Sequence, residues 1–347
     1  MSAPLRVGLV GCGRIAQLVH LNALRAADGI QVVALADPDT ERLHDATQKA
    51  PSAVPYASAE DLLAKSDAEA VVLCTPPALH AAGAIAAFEA GKHVYLEKPI
   101  SLELAEADAI LAAQQAAGTV GQMGFNYRFH PLHREARERI QRGNVGELVS
   151  LRTVFSSPAR SLPGWKSARA SGGGVMLDLA SHHLDLIPFL TGRDIIEVIA
   201  STASHQSEGD TAALTVRLEG DLLVQSLFSM TSVSEDRFEI YGTTGKLAYD
   251  RQTSVEIDAR GSSIAYGRKG QIQRELGTAI KSFRRAPRVP GSPSFRAAFE
   301  AFGRAARGGP MEGATLEDGR RSLEWVLAAE RASETGDLIS RPELATA

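Results

Sequence analysis

The segment Leu5 to Val10 is apolar and rich in β-branched residues, and it reads as a buried strand of a parallel sheet. It runs straight into Gly11-Cys12-Gly13-Arg14-Ile15-Ala16, a G-x-G-x-x-A, and then into a helical pattern to about Ala27. That junction constrains the chain more than any other feature. Gly11 permits the tight turn, Gly13 lets the backbone approach a pyrophosphate, and Ala16 lets the helix pack close to the strand. The turn through Gly11, Gly13, Arg14 and Ile15 is therefore expected to hold phosphates on helix N–H groups. A second strand, Val32 to Ala36, closes a βαβ unit and ends in Asp37. A carboxylate about 20 residues past the glycines can accept hydrogen bonds from the adenosine ribose hydroxyls and repels a 2′-phosphate. Pro38 and Asp39 offer no base to receive such a phosphate, so NAD is expected in preference to NADP. Asp37 also reads as the N-cap of a helix over Thr40–Lys49, a role compatible with the first.

The alternation continues. A helix over Ala59–Lys65 precedes the strand Ala70–Cys74, which ends in Thr75-Pro76-Pro77 with His80 just beyond. The strand His93–Leu96 ends in Glu97-Lys98-Pro99; Ser101 is expected to cap a helix to Ala117, with Glu103 in its first turn, and Val120–Phe125 is the next strand. Repeated βα units at this spacing predict a doubly wound parallel sheet of Rossmann type. Ligands of such sheets sit beyond the carboxyl ends of the strands, where Gly11, Asp37, Thr75 and Lys98 all lie.

Past residue 125 the pattern changes. Strands Glu147–Ser156, Ile195–Ser204, Ala212–Leu218, Leu222–Ser229, Arg237–Tyr241, Lys246–Tyr249 and Ser254–Asp258 follow one another with short turns, which predicts a mostly antiparallel open sheet. Two helices close the chain, Ser294–Arg307, with Phe295, Phe299 and Phe302 as core, and about 315–334. The expected organisation is a dinucleotide-binding domain over 1–125 and an α+β substrate and oligomerisation domain over 126–347, with the last helix packing back on the first domain.

Between these strands lies Gly172 to Leu190, GGGVMLDLASHHLDLIPFL. Three glycines mark a close backbone approach, and the helix that follows is apolar almost all round. At 100° per residue Asp178, His182 and Asp185 share one narrow face, beside a stripe of Val175, Leu179, Leu186 and Leu190. Buried ionisable groups cost several kcal/mol unless paired or used, so the strip suggests chemistry, or else an Asp-His pair satisfied within the core. His183 points into the apolar stripe and reads as a packed core residue. The spacing of Asp178, His182 and Asp185 also permits a metal, but no further ligand cluster accompanies it, and none is expected.

With these residues assembled, the chain resembles the Gfo/Idh/MocA family of NAD(P)-dependent oxidoreductases, which includes glucose-fructose oxidoreductase and inositol dehydrogenases. The resemblance spans roughly residues 5 to 335. It rests on G-x-G-x-x-A, Asp37, Thr75-Pro76-Pro77 with His80, Glu97-Lys98-Pro99, Asn126-Tyr127-Arg128, and Gly172-Gly173-Gly174 followed by Asp178-x-x-x-His182. It implies that Lys98 touches both substrate and the nicotinamide ribose, that the Lys98–Pro99 peptide is cis, and that the open sheet forms a homodimer or homotetramer. Cofactor contacts are then expected from Gly11, Gly13, Arg14, Ile15, Asp37, Thr75, Pro76, His80, Glu97 and Lys98. Substrate contacts are expected from Lys98, Tyr127, Arg128, Trp165, Lys166, Arg169, Asp178 and His182, with Arg160 a further loop candidate.

The reading that follows is a dehydrogenase of a secondary alcohol on a sugar, inositol or related polyol, a small polar substrate that can be anionic. His182 takes the hydroxyl proton, Asp178 steadies the imidazole, and Lys98 completes the catalytic set. Two alternatives stay open: an NAD-using redox-assisted glycosidase or lyase, and a non-catalytic NAD-sensing regulator. At 347 residues with 44% hydrophobic and 22% charged residues the composition is that of a soluble two-domain protein. A net charge of −4 gives no reason to expect nucleic acid. The N-terminus lacks a basic segment followed by a long apolar run, and no stretch reaches the length of a membrane span. Two cysteines, Cys12 and Cys74, exclude a disulfide framework, and a cytoplasmic location is expected. Arg268 to Arg288 holds seven basic residues and one acid, Glu275. It reads as a solvated loop or as an arm toward an acidic substrate or a neighbouring subunit.

Overall fold

A computed structural model describes residues 3–159, 166, 168–261 and 293–341. Trp165, Arg160 and the basic segment 268–288 lie outside the described residues. By contacts the chain forms two compact units that are not continuous in sequence. One comprises Met1–His130, Ser161–Leu186 and Gly291–Leu327; the other comprises Pro131–Arg160, Ile187–Pro290 and Ala328–Ala347.

The first unit is built on a seven-stranded sheet of order β14-β6-β5-β4-β1-β2-β3. Its strands are β1 (Leu5–Val10), β2 (Ile30–Ala36), β3 (Val54–Tyr56), β4 (Ala70–Leu73), β5 (His93–Leu96), β6 (Gly121–Met123) and β14 (Ala314–Thr315). All pair in parallel except β14, which adds antiparallel to β6 at one edge. Helices α1 (Leu21–Ala26), α2 (Thr40–Lys49), α3 (Ala59–Lys65), α4 (His80–Glu89) and α5 (Leu104–Ala117) follow the strands in turn. The order reverses beside β1, between β2 and β4, which is the switch point where such sheets open a crevice for ligands. The expected doubly wound fold is therefore present. The short strands β3 and β14 escaped the sequence reading because neither has a periodic apolar pattern.

Helix α8 (Pro293–Ala306) also belongs to this unit, whereas the sequence reading had only the last helix pack back on the first domain; its Phe299 and Phe302 are fully buried. Tyr95 of β5 packs on both rings, at centroid distances of 4.7 and 5.8 Å. Helix α9 (Leu316–Thr335) begins in the same unit, where Ser322 Oγ donates to the Ser181 carbonyl at 3.0 Å.

The second unit contains an eight-stranded sheet of order β13-β12-β11-β7-β10-β9-β8-β15. Its strands are β7 (Leu148–Ser156), β8 (Ile195–Ala203), β9 (Thr211–Leu218), β10 (Leu222–Ser229), β11 (Glu235–Gly242), β12 (Gly245–Asp250), β13 (Asp258–Gly261) and β15 (Ile339–Ser340). Every pairing is antiparallel except β7 with β10. The last strand of the series starts where the sequence pattern had it end, at Asp258 rather than over Ser254–Asp258. Residues Asp250 to Ser254 instead close a turn, in which Asp250 Oδ1 accepts the N–H groups of Gln252 and Thr253 at 2.8 Å. Helix α6 (Pro131–Gln141) belongs to this unit. Among the described residues no helix is long and apolar enough to cross a membrane.

Candidate active site

The glycine turn has the shape a dinucleotide requires. Gly11 sits at φ +90°, and a Cβ there would lie 2.8 Å from the Cys74 backbone, so only glycine fits. A Cβ at Gly13 would meet nothing within 4 Å, which leaves its backbone open toward a ligand. Arg14 and Ile15 are exposed beside it. The helix that follows begins as a π-helical turn, Ala16–His20, before α1. Single π turns of this kind are frequent at functional sites.

Asp37 is buried, and its two oxygens accept the Cys12 N–H at 2.7 Å and the Asp39 N–H at 2.9 Å. It is not the cap of α2. That role falls to Asp39, whose side chain accepts from Glu41 and Arg42 N–H. Asp37 thus ties the acidic strand end to the glycine turn, and each carboxylate oxygen keeps a further lone pair for a ribose hydroxyl. Open phosphate-facing backbone at Gly13 and a fixed carboxylate at Asp37 fit an NAD molecule. Gly11, Gly13, Arg14, Ile15 and Asp37 would hold its adenosine and pyrophosphate.

Thr75 and Pro76 line the end of β4, and the Lys98–Pro99 peptide after β5 is cis. His80 does not reach toward this opening. It is fully buried, with Nδ1 2.7 Å from the Pro99 carbonyl and Nε2 2.9 Å from the Thr75 carbonyl. Burial pulls its pKa below the ordinary histidine value. It braces the two loops, an effect that no spacing in the sequence revealed. Glu97 likewise turns inward. Its Oε1 lies 3.2 Å from Nε2 of the fully buried His20, and Oε2 accepts the Lys98 N–H at 3.3 Å. Burial pushes Glu97 up to about 7 against the pull of Lys98 and Lys166, and burial lowers His20 to about 3. Ser101 does not cap the next helix. Its hydroxyl donates to the Glu103 carbonyl at 2.8 Å, and α5 starts at Leu104 with Glu103 as its N-cap residue.

The buried helix starts as a second π-helical turn, Met176–Ala180, and continues as α7 (Ser181–Thr191). Gly173 brings its start against the preceding chain: a Cβ there would lie 2.3 Å from the Lys166 carbonyl oxygen. This contact carries Lys166 to Asp178. Asp178 Oδ1 accepts from Lys98 Nζ at 3.0 Å and from Lys166 Nζ at 2.8 Å, and the Asp178 carbonyl accepts from Lys98 Nζ at 2.7 Å. Burial alone would raise this carboxyl, but Lys98 and Lys166 outweigh it and hold the group well below the usual carboxylate range. His182 follows one turn later and is buried, as is His183. Tyr127, on the 3-10 turn Asn126–Phe129, stacks on the His182 ring at 4.3 Å and 20°. Arg169 lies half-buried just before the glycines.

Arg128 has a different place from the one expected. Its guanidinium grips Asp185 with Nε at 2.9 Å from Oδ2 and 3.2 Å from Oδ1, and Nη1 lies 3.0 Å from Asp318 Oδ2 of α9. Asp318 also pairs with Arg321 and accepts the Thr315 N–H at 2.9 Å. Asp185, which shares a helix face with Asp178 and His182, is therefore a structural partner. Burial pushes its carboxyl up to about 6, with Arg128 opposing. Among the described residues no group of three or more His, Cys, Asp or Glu side chains could hold a metal ion.

The chain matches two family models, the oxidoreductase family NAD-binding Rossmann fold over residues 5–125 and the GFO/IDH/MocA C-terminal domain over 133–248. It is 30% identical over 343 residues to 1,5-anhydro-D-fructose reductase of Ensifer adhaerens, covering 95% of this chain and 97% of that one. It is 29% identical over 277 residues to myo-inositol 2-dehydrogenase of Thermotoga maritima, covering 76% and 82%. Among solved structures, the WlbA dehydrogenase of Chromobactrium violaceum in complex with NADH and UDP-GlcNAcA aligns with a TM-score of 0.81 at 25% identity, covering 98% and 97%. Scyllo-inositol dehydrogenase of Lactobacillus casei with NAD(H) and scyllo-inositol aligns at 0.80 and 22%, covering 99% of each chain. This chain belongs to the GFO/IDH/MocA family of NAD-binding oxidoreductases.

Proposed function

We propose that the protein is an NAD-dependent dehydrogenase of a secondary alcohol on a sugar, inositol or related polyol. One observation carries the reading: Lys98, Asp178 and Lys166 meet within 3.0 Å, one turn from His182 and at the carboxyl end of β5. His182 takes the hydroxyl proton of the substrate, because imidazole is the side chain whose proton affinity lies near neutral pH. Asp178 and Lys98 hold each other in one geometry, so the ammonium is fixed where the alcohol oxygen gains negative charge. The bound cofactor supplies the hydride acceptor. Tyr127, Lys166, Arg169 and Trp165 are the proposed further substrate contacts.

The two lysines on one carboxylate leave a net positive charge, which favours substrates with a negative group such as a uronate. The UDP-GlcNAcA named with the Chromobactrium violaceum relative belongs to that class. Asp37 supports NAD over NADP, through its fixed carboxylate and the repulsion it exerts on a 2′-phosphate. The related inositol dehydrogenases and the reductase favour net oxidation or reduction over a cycle that returns its hydride. For the open sheet we propose a homodimer or homotetramer interface, because Ile199, Leu223 and Leu227 project from it exposed.

A screen for NAD reduction across sugars, inositols, uronates and sugar nucleotides tests the reading. Accumulation of NADH with oxidised product is expected. Turnover without NADH release would favour the glycosidase or lyase alternative. Calorimetric titration of both cofactors tests the preference, and tighter NADP binding would contradict it.

A further inference from the structure

Two groups on one turn face the helix that carries His182. The turn Asn126–Phe129 is anchored on both sides of Tyr127. Asn126 Nδ2 donates to Ser294 Oγ of α8 at 2.9 Å, with both residues buried. Arg128 grips Asp185, three residues past His182 on the same helix. Tyr127 is thereby held with its ring nearly parallel to the imidazole, centroids 4.3 Å apart, while Phe125 meets the same imidazole edge-on at 6.2 Å. The site is thus walled by rings on two sides of His182, and the stack is enforced by an ion pair and a buried hydrogen bond.

The charges around His182 make such a wall useful. Asp178, on its own helix, is engaged by Lys98 from the end of β5 and by Lys166 from the segment before the glycines, so this group is net positive. Asp185, also on that helix, is matched by Arg128. Both carboxylates of that helix are thus already engaged by cations. The face of an aromatic ring carries negative charge density and attracts a cation without adding a formal charge.

We propose that Tyr127 is a positioning residue whose ring face stabilises the protonated form of His182, and that Arg128 acts through it by fixing the turn. The proposal rests on His182 as the proton acceptor of the proposed reaction, and it assigns the tyrosine ring rather than its hydroxyl. Loss of the ring should lower the proton affinity of His182 by roughly half to one pH unit, the worth of a partly desolvated cation–π contact.

The test is a titration of ring-labelled histidine by NMR in the intact protein without substrate, with the His182 signal assigned by its loss in His182→Asn. Tyr127→Phe keeps the ring and should leave the His182 midpoint within about 0.2 pH units. Tyr127→Leu should lower it by roughly half to one unit, and the acid limb of the kcat–pH profile should move the same way. Thermal melts establish that both variants are folded, and the Phe variant keeps the test decisive if the Leu variant is not. An unchanged or raised midpoint in folded Tyr127→Leu overturns the proposal. So does a Phe variant that shifts the midpoint by half a unit or more. An NMR shift with an unmoved kcat profile supports the stack and contradicts instead His182 as the base.

Discussion

Asp178 and Asp185 stand on the same buried helix, two turns apart, and their surroundings give them opposite characters. Asp178 receives two lysines on one oxygen, and Lys98 also reaches its backbone carbonyl. The result is a cluster with an excess of positive charge, held well into the ionised range. Asp185 receives the Arg128 guanidinium, which also reaches Asp318, while Arg321 pairs with Asp318 in turn, and burial pushes Asp185 up to about 6. That cluster is balanced and lies deeper, with Asp185 itself 3% exposed. A balanced buried pair holds elements together, whereas an unbalanced one at a strand's carboxyl end attracts and orients a ligand. His182 sits between the two in the chain; the first cluster holds the ammonium that the proposed function sets beside the substrate, and the second holds the turn that carries Tyr127.

The comparison can be broken most forcefully at Arg128. Arg128→Met leaves Asp185 with an uncompensated buried charge and should cost about 3–5 kcal/mol of unfolding free energy in denaturant titration. A loss below about 1 kcal/mol would mean that the second cluster does not hold the fold. Lys98→Met should act the other way round. Asp178 keeps Lys166 at 2.8 Å, so stability should change by about 1 kcal/mol or less. Yet on the proposed function kcat should fall by roughly 10² and KM should rise, because that function has the ammonium touch substrate in ground and transition states alike.

Much of this was legible in the sequence where the cause is local. The glycine turn, the strand ends and the buried character of Gly172 to Leu190 follow from turn chemistry and periodicity within a short window. The polar strip was legible too, but the division of labour along it was not. Arg128 meets Asp185 and Asp318 across 57 and 190 residues, and no spacing signals such a pairing. The π turn at Met176–Ala180 is equally silent, since its apolar pattern fits a regular helix. His80 was drawn to the cofactor by its motif, whereas both its nitrogens lie on backbone carbonyls. Asp37 and Asp39 exchanged one expected role because either carboxylate could reach the first N–H groups of α2.

A smaller effect sharpens the contrast with a third buried pair, Glu97 and His20. Between its ordinary value of 4.5 and its raised value of about 7, Glu97 keeps a proton when folded that the unfolded chain releases. Stability should therefore fall as pH rises through that window, by on the order of 3 kcal/mol if Glu97 acted alone. His20, lowered from 6.5 to about 3, works with the opposite sign and adds stability as pH rises between those values. The net slope should therefore be shallow in the protein itself. Glu97→Gln should leave the rise due to His20 exposed in thermal melts across pH 4 to 7, where pH 4 to 7 is the range of measurement (about 3 units). An unchanged slope would contradict a neutral Glu97.

The most direct test of the account is the turnover of His182→Ala once a substrate is in hand, measured beside its thermal melt and its NAD affinity. The account predicts a folded protein, nearly unchanged NAD binding, and kcat lower by roughly 10²–10⁴, the usual worth of a positioned general base. A stably folded His182→Ala protein with near-normal turnover would contradict it.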